Sequence, residues 1–466
     1  PPWGGSDCPT GGGGSGGQGG QFGCTALGGC RPVNLSPEPP IMKILKVPTY
    51  GEGSDEEVTG TPYPSCPCED GDNVNTGNGN DNQTIPVMPV KGINLPVVVA
   101  LKSDSMNLTS SLRQAAISVS GIGGRWFLNY QMPLVYNASA NVITVMTGDG
   151  KELRFNFGYM DFPSQEQVFL APQGYAKLQV RRNPYNGSAK LIIRDAFGQP
   201  SITYFYPSSP DGVVVYLASI EDASGNKVEI VRDGSEKITK IVAQNGQEIN
   251  FIYDANGKLT QIQSPSGTVS VSLTEQQLDP TTKQLTLSVT DPSGSVWKVK
   301  HVLVQQPDGS YRISQSQWQD PNNRTKTATF DPSSDRISGY TAGNNVPQTY
   351  SYQYDQSNAT LTTTITYQDG LKIQHVHDSQ GRLVEVVTQV DSTTNLVEQR
   401  QYDSDNRLIS LTDPNGNTTT FEYDSLGNIT KITYPDGTFV TYSYDTTNRR
   451  IIMTDQLGYQ WVQEFD

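Results

Sequence analysis

One unit returns at a fixed interval toward the C-terminal end of this 466-residue chain. Tyr402-Asp403 opens YDSDNRLISLTDPNGNTTTFE, Tyr423-Asp424 opens YDSLGNITKITYPDGTFVTYS and Tyr444-Asp445 opens YDTTNRRIIMTDQLGYQWVQE. Phe465-Asp466 begins again, so the aromatic positions are 21 residues apart each time. Looser copies stand at Tyr253-Asp254, Phe330-Asp331, Tyr354-Asp355 and His377-Asp378. A period of this length signals stacked supersecondary units, because a single unit cannot bury its own apolar face. Two strands of about six or seven residues and two turns of about three or four fill the period. The unit is therefore one hairpin step of an antiparallel sheet.

Each position in the unit has a physical task. The Asp opens a turn by accepting bonds from backbone amides two residues on. Gly381 and Gly427 supply the positive φ that such a turn requires. Leu383, Leu408 and Ile429 are expected to face inward, and Tyr423 and Tyr444 to stack on their equivalents one repeat along. Upstream, from about residue 91, runs such as NVITVMTGDGKELRFNF and TLSVTDPSGSVWKVKHVLV have strand character and alternate with DG, NG, SG and DPxG turns. No segment keeps a 3.6-residue period over eleven residues, and the best helix candidate, LTEQQLDP at 273–280, amounts to a turn or less. The expected fold class is all-β. Strand twist should coil so long a sheet into a spiral ribbon or the wall of a hollow shell.

Composition agrees. Hydrophobic residues make up 35% and charged residues 17%, with 23 Tyr. This excludes a transmembrane helix bundle, a coiled coil and a charge-rich disordered chain. No run of 18 apolar residues occurs, so no membrane span is expected. The net charge of −14 argues against nucleic acid and against an anionic membrane surface, which both call for clustered Lys and Arg. The chain opens PPWGGSDCPT, with no Met, basic n-region or apolar h-region, and ends WVQEFD in strand-like sequence. A processed form or an excerpt that continues is the expectation.

Residues 1–90 differ from the rest, with 19 Gly and 13 Pro. GGGGSGGQGG offers no side chain to offset its ordering entropy. All five cysteines, Cys8, Cys24, Cys30, Cys66 and Cys68, fall in this extension. Cysteines in a segment too Gly-rich to build a core read as candidate disulfides and imply an oxidising compartment. The odd number leaves one thiol free, paired between chains or without its partner. Zinc is the rival reading, but Cys66-Pro-Cys68 is not a CxxC and has no His nearby. The apolar run IMKILKVPTY at 41–50 suits an anchored strand or plug.

Little chemistry is visible. His301, His375 and His377 are the three histidines. His375 and His377 would share a strand face, which suits a weak metal site, or else His377 stands in for the repeat aromatic. HExxH, GxSxG and the P-loop pattern are all missing, and GIGG at 121–124 is not a GxGxxG. The Asp-rich turns DANG, DPSG, DPNG and DSLG make calcium a weak alternative to plain Asx turns, without the spacing of an EF-hand. The Tyr stripe is either an internal ladder or a sugar-stacking surface. No catalytic, cofactor or metal residue is assigned, and no enzyme activity is expected.

The Y-D-x-x-G-x-(L/I) unit, with its P-x-G turn and returning (F/Y)-x-Y-D, resembles the YD repeat of RHS proteins. That group includes bacterial polymorphic toxins, toxin-complex C components, wall-associated proteins and teneurins. Upstream, GIGGRWFLNYQMPL (121–134) and ITVMTGDGKELRF (143–155) are similar to the region where RHS shells begin, at Gly123, Gly124, Trp126, Asn129, Tyr130, Asp149, Gly150 and Phe155. The resemblance divides the chain into an extension (1–90), an RHS-like opening region (91–219) and a YD-repeat shell segment (220–466). It marks Tyr402, Asp403, Tyr423, Asp424, Gly427, Tyr444 and Asp445 as structural repeat residues. It implies a β-strip spiralling into a hollow cocoon around a C-terminal toxin or other cargo. The family's self-cleaving block has no counterpart here. A non-catalytic, exported, shielding shell segment is the first expectation. A surface adhesin or extracellular polymer, self-associating through 1–90 or binding carbohydrate or a cell-surface receptor, is the second. Both place the protein outside the cell or on its surface.

Overall fold

In the computed structural model the described residues are 74–75, 80–89, 98–104 and 111–465, apart from 149–151, 173–174, 176, 208–210, 343–347 and 392. The five cysteines, the 41–50 run, Asp149 and Gly150 lie outside them. A small antiparallel sheet comes first: β1 (Val74–Asn75), β2 (Asn80–Pro89), β3 (Val98–Asp104) and β4 (Phe127–Leu128). Between β3 and β4 runs α1 (Ser111–Ser120), a helix the sequence reading missed. Its buried side chains, Leu112, Arg113, Ala116 and Ser120, form one face at four-residue steps, but only two are apolar. The helix is held by tertiary packing: Leu112 and Ala116 meet Phe127 and Met146, with Ile117, Val135 and Val214 alongside. The other helix candidate proves to be strand, since Leu273–Asp279 is the far half of β17 (Gly267–Asp279).

Eight strands then close a ring. They are β5 (Pro133–Asn137), β6 (Val142–Met146), β7 (Glu152–Asp161), β8 (Glu166–Leu170), β9 (Leu178–Arg182), β10 (Ala189–Arg194), β11 (Pro200–Phe205) and β12 (Val214–Glu221). Each pairs antiparallel with the next, and β12 returns to β5 with Val214 opposite Val135 and Tyr216 opposite Pro133. The same edge of β12 continues past β5. Its Ser219–Glu221 end pairs with β13 (Lys227–Arg232). One strand thus has two neighbours end to end on one edge, and from this fork the ring becomes a strip.

The strip runs on through β14 (Ile238–Ala243), β15 (Glu248–Tyr253), β16 (Leu259–Ser264), β17, β18 (Thr282–Thr290), β19 (Val296–Gln305) and β20 (Tyr311–Gln319), and through thirteen further strands between Thr325 and Glu464. All 29 strands from β5 onward belong to one sheet, and every pairing in it is antiparallel. The boundary expected at 219/220 falls inside β12.

One apolar cluster takes side chains from every strand between β5 and β19, among them Ile143, Phe155, Phe169, Leu191, Leu217, Ile241, Ile262 and Val299. The segment 121–132 supplies its middle with Ile122, Trp126, Leu128, Tyr130 and Met132. A ring of eight strands has an interior that side chains alone can fill, and here they do. Two further clusters serve the later strip, one around Phe330, Ile337 and Tyr350 and one around Leu408, Phe421 and Ile429.

Candidate functional site

The repeat residues form a joint between successive hairpins. Asp403 accepts the Asp405 and Arg407 amides on Oδ1, and its own amide donates to the Arg407 carbonyl at 2.9 Å. Asp424 does the same with Leu426 and Asn428. The residue two before the strand resumes lies at positive φ, +60° for Asn406 and +79° for Gly427. With a ladder shift just before each Asp, this is a turn followed by a bulge. The Asp445 turn is one residue longer: Asp445 pairs with Arg450, no shift occurs, and Arg449 takes the positive φ.

The aromatic of each unit locks onto the unit before it. Tyr423 donates its hydroxyl to the Leu408 carbonyl at 2.7 Å, Tyr444 to Ile429 at 2.9 Å and Tyr402 to Leu383 at 2.7 Å. Of the looser copies, Tyr253 bonds Ile238 in the same way, whereas at Tyr354-Asp355 the bond to Ile337 comes from Tyr352, two residues earlier, and Tyr354 itself is exposed. Ring-on-ring stacking was expected at Tyr423 and Tyr444; at Tyr423, as at Tyr402 and Tyr352, a cation covers the ring instead. Arg407 lies 5.1 Å over Tyr423, Arg382 5.2 Å over Tyr402 and Arg336 4.9 Å over Tyr352. The guanidinium is placed by the turn Asp, since Arg407 Nε donates to Asp403 Oδ2 at 2.7 Å. Burial pushes the Tyr423 and Tyr444 hydroxyls well above their ordinary pKa, so both remain donors. Leu383, Leu408 and Ile429 are buried as expected.

A second arrangement was invisible in the sequence. The β10–β11 turn of the ring lies against the late repeats. Asn428 Nδ2 donates to the Ala196 carbonyl at 2.9 Å, and Lys177 Nζ donates to Asn428 Oδ1 at 2.7 Å. Arg449 stands 3.5 Å from Asp195 and 5.4 Å over Phe197, whose ring meets Phe465 at 5.4 Å. Phe197 belongs to the Leu408–Phe421–Ile429 cluster. This seam ties the ring to hairpins more than 230 residues later. Its only local sign is the Asn at 428, where neighbouring units carry Arg382 and Arg407.

The remaining candidates sort by environment. Trp126, Asn129 and Tyr130 are buried in the 121–132 segment, Gly123 and Gly124 lie at its exposed start, and Phe155 is buried in the same cluster from β7. His377 is buried opposite Leu383 at a ladder shift, as Tyr402 is opposite Leu408, which fits the aromatic-substitute reading. His375 and His377 share a face with ring centres 6.4 Å apart. Among the described residues no group of three or more His, Cys, Asp or Glu is placed to hold a metal ion. The Asp-rich turns direct Oδ1 at their own amides, as at Asp254, Asp291 and Asp413. Such an arrangement can lock strands together and build a wall. Among the described residues no helix is long and apolar enough to cross a membrane.

No curated protein matches the chain. Among solved structures, the TcdB2-TccC3-TEV crystal structure aligns with 82% of this chain and 24% of its own, at 10% identity and TM-score 0.34. The Photorhabdus luminescens Tc holotoxin pore aligns with 80% of this chain and 26% of its own, at 10% identity and TM-score 0.26. The chain therefore spans about a quarter of the length of each. The family model of the RHS repeat matches residues 402–438 and 427–460, the stretch that holds the Asp403, Asp424 and Asp445 turns and the Tyr423 and Tyr444 hydroxyl bonds, so this stretch carries RHS (YD) repeats.

Proposed function

We propose that this chain is a wall segment of an exported RHS-type β-shell that encloses and shields a cargo such as a toxin. It acts by exclusion, without catalysis. The observation that supports this is the seam. A strip that only grew by hairpins would be a ribbon, whereas one whose late repeats come back to Lys177, Asp195 and Phe197 coils on itself. The Tyr–carbonyl and Arg–Tyr joints suit the same role. They cross-link each hairpin to the last through backbone atoms, so the wall does not rely on a deep core at every point.

The test is protease protection of the native polypeptide purified from its source. The shell reading expects a resistant fragment distinct from the 111–465 strands, which becomes digestible once the strip is unfolded. A digest of the native polypeptide in which no fragment other than the strip itself resists protease overturns it.

A further inference from the structure

His301 is a buried histidine set between the inserted 121–132 segment and the strip. It is 4% exposed on β19, opposite Leu285 of β18 and Ser316 of β20. The Trp126 ring covers it at 5.9 Å, tilted by 32°. Neither His301 nitrogen has a hydrogen-bond partner among the described residues. The charged group acting on it from the inserted segment is Arg125, itself buried. On β18 the nearest charge on the same face is Lys283, opposite Leu303 and paired with Glu275. β20 contributes the neutral Ser316. Glu275 of β17 lies in the same cross-strand row, opposite Leu285, but its carboxylate is paired with Lys283, so an imidazolium here would face the Arg125 guanidinium with no carboxylate of its own.

We propose that His301 makes the seat of the 121–132 segment acid-labile, so that this segment is the first part of the fold to loosen as pH falls. Neutral imidazole packs under Trp126 as an apolar ring. Once the segment lifts, the ring meets water and takes a proton at its ordinary pKa of about 6.5. In the seated state burial, reinforced by Arg125, holds the pKa down to about 3. The sign follows from the depressed value: the seat is at full strength above about pH 6.5 and weakens as pH falls toward about 3. Between pH 7 and pH 5 the population of the lifted state should rise about 25-fold. The inference goes beyond the shell reading and holds whatever the strip encloses.

Hydrogen exchange on the full chain, corrected for intrinsic pH effects, tests it. The readout is opening of peptides covering 121–132 and of the Leu259 amide, which donates to the Gly121 carbonyl at 2.7 Å. Opening there should rise about 25-fold from pH 7 to pH 5, while the 408–453 strands hold steady. In His301→Leu the same peptides should show no acid response. An unchanged wild type, or a His301→Leu protein that keeps the full response, overturns the proposal. A ring-carbon NMR titration of the three histidines in the wild-type chain provides a test that needs no variant. His301 should remain neutral at pH 5, and a charged ring in a seated segment overturns the proposal.

Discussion

Tyr423 does two things at once: its hydroxyl bonds the Leu408 carbonyl and its face carries the Arg407 guanidinium. Tyr423→Phe removes the first alone and should cost about 1 kcal/mol in urea unfolding. Arg407→Ala removes the second, together with the Asp403 pair, and should also cost about 1 kcal/mol. Gly427 meets nothing within 4 Å of where a Cβ would sit, so Gly427→Val should report the positive φ alone, at about 1–2 kcal/mol. The turn carboxylates set the acid limit. Hydroxyl and amide bonds from Ser333, Ser357 and Thr438 hold Asp331, Asp355 and Asp436 below the ordinary carboxylate range. The amide and hydroxyl of Thr393 hold Asp391 at about 2. Because the folded values are depressed, this contribution is complete above the unfolded pKa of about 3.9 and fades as pH falls toward about 2. Thermal melts should therefore show a steep loss of midpoint in that interval.

At the scale of the element, the hairpins were legible because each writes its own turn: Asp, then a residue tolerant of positive φ, then Leu or Ile. These signals act over four or five residues, which is the range a single sequence exposes. α1 was not legible, since Arg113 and Ser120 sit on its buried face and only Leu112 and Ala116 carry the apolar stripe. The 273–280 segment misled for the opposite reason. Its Glu and Gln favour helix locally, but Leu273 pairs with Leu287 and Glu275 with Leu285 in a long hairpin. The seam was illegible in principle, because Lys177, Ala196 and Asn428 are brought together by the curvature of the whole strip. Asn428→Ala strips the partner from the Ala196 carbonyl and from Lys177 and should cost about 1–3 kcal/mol. Faster hydrogen exchange confined to 195–199 and 424–428 is the accompanying sign; equal loss along the whole strip would contradict a local seam.

Across the whole molecule, the 21-residue unit is an interchangeable step. Deleting 403–423 joins Tyr402 to Asp424 and keeps every turn intact. The shortened chain should retain its strand spectrum in circular dichroism, as repeat architectures do. It should melt earlier, because Asn428 and Arg449 would arrive one hairpin short of the β10–β11 turn. Loss of the strand spectrum would show that the units are not equivalent. The fork at β12 has its own consequence, for the order of assembly during synthesis. Val135 cannot meet Val214 until the intervening hairpins have left the ribosome. Until then β5 carries a bare edge, open to any strand that passes. Because β5 and β13 take different ends of β12, that edge is covered only when the ring shuts, whichever of the two strands docks first.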